Sequence, residues 1–264
     1  MDIIERGAGE PVVVIPGIQG RWEYVRPAVE ALAASFRVIT FPLGDERSSG
    51  FRFEPSRGFD NYSDQVLWAL NEARIDRATI CGISFGGLIA LRFAAAHPDR
   101  TKVLVLASAP GPLWHLKKRH QVYARVPWLA GPLFLAESPW RLRHELAAAF
   151  PASGPRRRFA RSQLGLLLKA PLSLSRMARR ALLISSSDAS VVAARVTAPT
   201  LVITGERELD HVVPVVGSSE YLRLIPGARG AIIERTGHLG SITKPEVFAM
   251  LIRDFVNGQH HAAA

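Results

Sequence analysis

The sequence predicts an α/β fold, with a doubly wound, mostly parallel sheet and a helical segment inserted between two of its strands. Short apolar runs alternate with helical patterns in both the first and the last part of the chain. A serine flanked by glycines stands between one such run and the helix that follows it. An excess of basic residues is confined to one central block. Alternation of strand and helix favours parallel strands joined by right-handed crossovers.

The predicted strands are near-continuous apolar runs, which is typical of parallel strands that are buried on both faces. They cover residues 12–15, 37–41, 78–81, 102–107, 200–204 and 231–234. Helical patterns lie between them at residues 23–35, 60–73, 88–97, 215–224 and 245–256, with Asp60 as a candidate N-cap. The 264-residue chain is 48% hydrophobic, which provides for a large core and excludes a disordered protein.

The central block, residues 111–195, differs from the rest in charge and pattern. It holds 15 Lys and Arg against 3 Asp and Glu, a net of +12, so the rest of the +10 chain has a net of −2. Prolines and glycines divide it into short helical pieces such as 141–150 and 157–169. We therefore predict a core of residues 1–110 and 196–258, a helical, basic insertion at 111–195, and a tail without regular structure at 259–264.

Composition also limits the compartment and the partners. Cys81 is the one cysteine, so no intrachain disulfide is expected, and the sequence predicts neither a signal peptide nor a membrane-spanning helix. The sequence predicts a cytoplasmic protein. It has no metal-ligand spacing, no phosphate-loop or dinucleotide motif and no nucleic-acid motif, so we expect no metal, no cofactor and no nucleic-acid partner.

The glycine-flanked serine has the most specific spacing in the chain. Gly82-Ile83-Ser84-Phe85-Gly86 fits G-x-S-x-G, a tight turn that lifts a serine hydroxyl above the sheet. Glycine at both offsets lets the strand and the helix approach closely. The alternative is a glycine-rich turn with a solvated serine.

Two further segments supply partners for that serine. The strand at 200–204 leads into a loop containing Asp210, and the strand at 231–234 leads into Gly237-His238. Both lie past the C-terminal ends of strands, where open α/β sheets place their sites. With serine, aspartate and histidine in this order along the sequence, the chain resembles the α/β-hydrolase superfamily, of the serine-nucleophile type with a helical lid. The resemblance covers nearly all of the chain outside 111–195.

The resemblance implies the roles of these residues. Ser84 is the nucleophile, His238 the base and Asp210 the acid, with the backbone N–H groups of Phe85 and Ile18 as the oxyanion hole. Two departures stand out in the sequence. Pro16-Gly17-Ile18-Gln19-Gly20 replaces the usual His-Gly, so Gln19 could shift the oxyanion register by one, and the loop after Gly205 is about two residues longer than usual.

Alternatives to these assignments remain open at the level of sequence. Glu208 is a rival to Asp210 as the acid, and His211 is a weaker rival to His238 as the base. Cys81 is predicted to be a small buried residue. The remaining histidines are expected at the surface or in the lid: His97, His115, His120 and His144.

The resemblance implies a serine hydrolase that cleaves carboxylic esters through an acyl-enzyme. Trp114, Trp128 and Phe134 of the insertion are candidates for contacting a small, apolar substrate, or else pack the lid onto the core. The same triad serves C–C bond hydrolases, thioesterases, lactonases, perhydrolases and acyltransferases, and some members of the fold only bind ligands. Ser84 argues against the aspartate nucleophile of epoxide hydrolases and haloalkane dehalogenases.

Basic clusters in the insertion allow one further partner. Lys117-Lys118-Arg119 and Arg156-Arg157-Arg158 form either a solvated face or a weak contact with anionic membranes. The oligomeric state cannot be read from the sequence.

Overall fold

A seven-stranded sheet forms the centre of the protein in a computed structural model that describes residues 3–263, apart from the side chains of 134 and 260–263. The strands are β1 (Ile4–Arg6), β2 (Pro11–Ile15), β3 (Arg37–Thr40), β4 (Ala78–Ile83), β5 (Thr101–Ala107), β6 (Thr200–Thr204) and β7 (Arg229–Ile232). Their order in the sheet is β1-β3-β2-β4-β5-β6-β7. Every neighbouring pair is parallel except β1 with β3.

The helices of the core lie on both faces of this sheet. They are α1 (Arg26–Ala33), α2 (Asp60–Glu72), α3 (Phe85–Ala96), α9 (Val215–Ser219), α10 (Tyr221–Leu224), α11 (Gly240–Thr243) and α12 (Pro245–Ala263). Val12 and Val14 pack in one buried cluster together with residues of α1 and α12, whereas Val13 and Ile15 pack in another together with residues of α2 and α3. This period of two arises because successive side chains of a strand point to opposite faces.

The chain between β5 and β6 is helical. Its helices are α4 (Lys118–Arg125), α5 (Pro127–Ala149), α6 (Ser153–Lys169), α7 (Leu174–Ser185) and α8 (Ser190–Ala193). We call residues 111–195 the helical segment. No helix in the described part of the chain is both long and apolar enough to cross a membrane.

The structure corrects several sequence-based boundaries. β1 was not predicted, because a three-residue, largely exposed edge strand has no apolar run. β7 begins two residues earlier than predicted, and the single helix expected at 215–224 is divided into α9 and α10. Asp60 is the first residue of α2 and not its N-cap.

Two further corrections concern where helices stop. α5 continues through Pro132 and Pro139, where the sequence indicated breaks. Both prolines are exposed, so water can solvate the carbonyls that lose their N–H donors. The tail predicted from 259 is helical as far as Ala263, since it contains no proline and three alanines favour helix, and residue 264 lies outside the described residues.

Candidate active site

The turn between β4 and α3 holds Ser84 in a strained conformation. Its φ is +55° and its ψ is −118°, a backbone geometry that non-glycine residues rarely adopt. A Cβ on Gly82 would lie 2.1 Å from the carbonyl oxygen of Gly86, and one on Gly86 would lie 2.3 Å from the carbonyl oxygen of Ile15. Glycine is therefore required on both sides of the turn, which leaves the Ser84 side chain partly exposed above the sheet.

The loop after β7 brings His238 to this serine. The distance from His238 Nε2 to Ser84 Oγ is 3.1 Å, although 154 residues separate them in the chain. The other ring nitrogen, Nδ1, lies 3.3 Å from Asp210 Oδ2. The three side chains thus form a hydrogen-bonded row that runs from carboxylate through imidazole to hydroxyl.

Asp210 is held by its own loop. Its Oδ1 accepts hydrogen bonds from the backbone N–H groups of Val212 at 2.9 Å and Val213 at 2.8 Å. Burial tends to raise the pKa of Asp210, but the His238 charge and these hydrogen bonds outweigh it and lower the pKa. The carboxylate is therefore ionised and leaves Oδ2 for the imidazole.

Two glycines bring the loops of Asp210 and His238 together. A Cβ on Gly237 would lie 2.4 Å from the carbonyl oxygen of Leu209, and one on Gly205 would lie 2.3 Å from the carbonyl oxygen of Gly237. The Glu206 carboxylate adds a link by accepting the N–H of Arg235 at 2.7 Å. Sequence reasoning missed this close approach of the two loops. Its signal in the sequence is one glycine directly after β6 and another directly before His238.

The structure separates the rival acid and base from the row. Glu208 and His211 are exposed, and the His211 ring lies 6.2 Å from the ring of His144. Cys81 is fully buried in β4, and burial raises the pKa of its thiol to about 12. A neutral, buried thiol is a poor nucleophile.

The pKa of His238 is set by opposing effects. Burial lowers it, but the Asp210 carboxylate, through its charge and its hydrogen bond, and the charge of Glu145 raise it above the ordinary value of 6.5. An imidazole placed in this way can take a proton from Ser84 and return it to a leaving group.

The predicted oxyanion residues lie beside the serine. Phe85 is the first residue of α3, directly after Ser84. A Cβ on Gly17 would lie 3.4 Å from the Ser84 Cβ, so the loop that carries Ile18 passes close to Ser84. The carbonyl oxygen of Ile18 accepts a hydrogen bond from Arg180 of α7 at 2.8 Å, which ties this loop to the helical segment.

The predicted substrate contacts occupy different environments. Trp114 is partly buried against the core, whereas Trp128 in the first turn of α5 is 76% exposed. The described contacts do not join either tryptophan to Ser84, so their role stays a prediction. The side chain of Phe134 lies outside the described residues.

The described residues contain no group of three or more His, Cys, Asp or Glu side chains that could hold a metal ion.

Comparison with known proteins gives the family and a set of relatives. The family model described as alpha/beta hydrolase fold matches residues 10–245. A protein of Enterobacter cloacae named "Putative carbamate hydrolase RutD" is 28% identical over 263 residues, covering 92% of this chain and 90% of that protein.

Among solved structures, an enol-lactonase from Burkholderia xenovorans LB400 has a TM-score of 0.75 and 22% identity, covering 97% of this chain and 96% of that chain. An esterase (EaEST) from Exiguobacterium antarcticum has a TM-score of 0.76 and 19% identity, covering 97% of this chain and 94% of that chain. At these identities the likeness shows the fold.

Proposed function

The chain belongs to the α/β-hydrolase fold family and is a hydrolase, and from this premise we propose that it cleaves carboxylic esters through an acyl-enzyme on Ser84. The observation that carries the proposal is the row Asp210–His238–Ser84, with distances of 3.3 and 3.1 Å. The distance to Ser84 lies within the range in which an imidazole accepts a hydroxyl proton, and the distance to Asp210 lies just beyond it.

In the proposed first step, His238 Nε2 takes the proton of Ser84 while Oγ attacks the ester carbonyl carbon. The N–H groups of Phe85 and Ile18 receive the negative oxygen of the tetrahedral intermediate, and each such donor contributes roughly 10²–10³ in rate. The C–O bond of the leaving alcohol then breaks as His238 returns the proton to its oxygen.

In the second step, a water molecule attacks the acyl-enzyme with His238 again as the base. The acid is released and the Ser84 hydroxyl is restored. Asp210 keeps the proton of the neutral imidazole on Nδ1 and stabilises the charged imidazolium that forms twice in the cycle. No cofactor takes part in either step.

For the helical segment, residues 111–195, we propose the role of a lid over Ser84 that lines an apolar substrate site. Contacts between the segment and the core support this position. The Tyr24 hydroxyl donates to the carbonyl oxygen of Ala170 at 2.7 Å. Arg180 and Glu145 reach the loops of Ile18 and His238.

A carbamate is the second candidate substrate, because several curated relatives of similar length bear the name "Putative carbamate hydrolase RutD". Ester and carbamate share an acyl carbonyl that a serine can attack, so the same residues serve both.

A panel of p-nitrophenyl esters of graded acyl length, run beside a carbamate, a lactone and a thioester, tests the choice. We expect the highest kcat/KM for short-chain or medium-chain esters. A kcat/KM that is highest for the carbamate would replace the ester by the second candidate.

We also propose that the helical segment makes weak contact with anionic membrane surfaces. Arg157, Arg161, Leu164 and Leu168 of α6 are all exposed, at a spacing that puts them on one side of the helix. Basic and apolar side chains on one helix face suit the charged interface of a membrane. The net charge of +12 in the segment supports the same partner.

A further inference from the structure

Glu145 is a fully buried carboxylate that none of the steps above uses. It lies in α5, within the helical segment, and has 0% exposure. Its Oε1 accepts the backbone N–H of Gly237 at 2.7 Å and that of Leu239 at 2.6 Å. These are the residues immediately before and after His238. One oxygen of the helical segment therefore holds both peptide groups that flank the proposed base.

The burial of Glu145 is costly for the fold. Its second oxygen, Oε2, is buried and has no hydrogen-bond partner among the residues that the structure describes. Burial raises the pKa of Glu145, and the two peptide hydrogen bonds and the nearby His238 oppose that rise only in part. Buried carboxylates without full pairing destabilise a protein, and an apolar residue of similar volume usually packs at lower cost. Helix packing alone does not account for a glutamate here.

We propose that Glu145 is a positioning residue for His238, which fixes the imidazole against Ser84 through the flanking N–H groups and stabilises the imidazolium by its charge. The inference rests on the proposed function, in which His238 is the base. It also assigns part of the active site to the helical segment, since the loop after β7 is held from above by α5 as well as from below by the sheet.

The ionisable groups near Glu145 come from its own helix and from the loops of Asp210 and His238. His238 and Asp210 are its charged neighbours in the site. On the same side of α5, the Arg235 guanidinium donates to the carbonyl oxygen of Ala148 at 3.1 Å, and its backbone N–H is taken by Glu206. The rings of His144 on α5 and His211 in the loop of Asp210 meet edge to face, with their centres 6.2 Å apart.

The test compares Glu145→Ala and Glu145→Gln with Glu137→Gln in the intact protein, by kcat, KM, thermal midpoint and the pH profile of kcat/KM. Glu137 is the matched control, a carboxylate on the same helix that pairs with Arg119 and Tyr123 inside the helical segment. We expect Glu145→Ala to lower kcat by about 10- to 100-fold with a smaller change in KM, because a displaced base loses alignment with its nucleophile.

Glu145→Gln separates the hydrogen bonds from the charge. Its amide oxygen accepts the same two N–H groups, so most of the lost kcat should be restored. Removing the negative charge lowers the pKa of His238, so the acid limb of the profile should move to lower pH. Glu137→Gln should leave kcat and the position of the acid limb at the wild-type values.

The proposal fails if Glu145→Ala lowers the thermal midpoint but keeps the wild-type kcat and acid limb. Should Glu145→Ala not fold, Glu145→Gln decides, because an unmoved acid limb would overturn the role of the charge. His238→Ala distinguishes this failure from that of the proposed function. An active His238→Ala protein would overturn the proposed base, whereas an inactive one beside unaffected Glu145 variants would overturn the positioning role alone.

Discussion

The sheet and the helical segment differ in how they contribute to the candidate site. Ser84, Asp210 and His238 all follow the ends of the parallel strands β4, β6 and β7, so the topology of the sheet alone brings them to one edge. The helical segment reaches the same edge through single buried charges, Glu145 and Arg180. The comparison indicates that the sheet positions the three side chains of the proposed triad, whereas the segment holds the loops of His238 and Ile18.

The largest effect is expected at the nucleophile. Ser84→Ala removes the hydroxyl on which the proposed acyl-enzyme forms, so kcat on p-nitrophenyl acetate should fall by about 10⁴-fold or more. Ser162→Ala makes the same change at an exposed serine of α6 and should keep wild-type activity. If Ser84→Ala turns over substrate at the wild-type rate, the serine at the end of β4 is not the nucleophile.

A loss of similar or slightly smaller size is expected at the acid. Asp210→Asn keeps the shape of the side chain but no longer fixes the imidazole tautomer, so kcat should fall by about 10³–10⁴-fold. Glu208→Gln, two residues away and exposed, is the matched control and should have little effect. A large loss of kcat in Glu208→Gln with little change in Asp210→Asn would make Glu208 the acid.

The pH profile tests the charge state of the site. Because the pKa of His238 is raised, the neutral base forms only above the ordinary value of 6.5. We expect kcat/KM to increase with pH through an acid limb above that value and to reach a plateau once His238 is neutral. Below the limb the imidazolium cannot accept the proton of Ser84. An acid limb below the ordinary value would contradict the assigned environment of His238.

The fold and the meeting of Ser84, His238 and Asp210 were largely predictable, because both depend on patterns that are local in sequence. Apolar runs defined six of the seven strands to within a few residues, and G-x-S-x-G placed Ser84 between β4 and α3. The edge strand β1 escaped notice because pairing with β3, a contact between distant segments, is what defines it. Glu145 and Arg180 escaped for the same reason, since a charged residue in a helix carries no local sign of burial.

A stability measurement tests the anchoring of the helical segment. The Arg180 side chain is 1% exposed and pairs with Asp45 at 2.6 Å and Glu46 at 2.5 Å. Arg180→Met removes the ion-pair partner of Asp45 and leaves buried Glu46 with only the longer contact to Arg176 at 3.6 Å, so the free energy of unfolding should fall by about 3–5 kcal/mol. The exposed neighbour Arg179 is the control, and Arg179→Met should change the free energy of unfolding by less than about 0.5 kcal/mol. Equal effects of the two variants would show that the segment is held in another way.

The smallest effect is expected for membrane contact. Co-sedimentation with vesicles of phosphatidylcholine and phosphatidylserine should show weak binding that decreases with salt, because the attraction is electrostatic and screened. Replacing Arg157 and Arg161 by glutamine should also weaken the binding to these vesicles, because it removes two positive charges. Binding that is the same for phosphatidylcholine alone, or that does not respond to salt, would contradict a role for the basic charge.

Mass spectrometry of the protein after reaction with a fluorophosphonate tests the central proposal most directly, since this reagent traps a serine that an adjacent base activates. The account predicts one adduct per chain, located on the peptide that contains Ser84, absent from Ser84→Ala and formed far more slowly by His238→Ala. An active protein that forms no adduct, or forms it on a residue other than Ser84, would contradict the account.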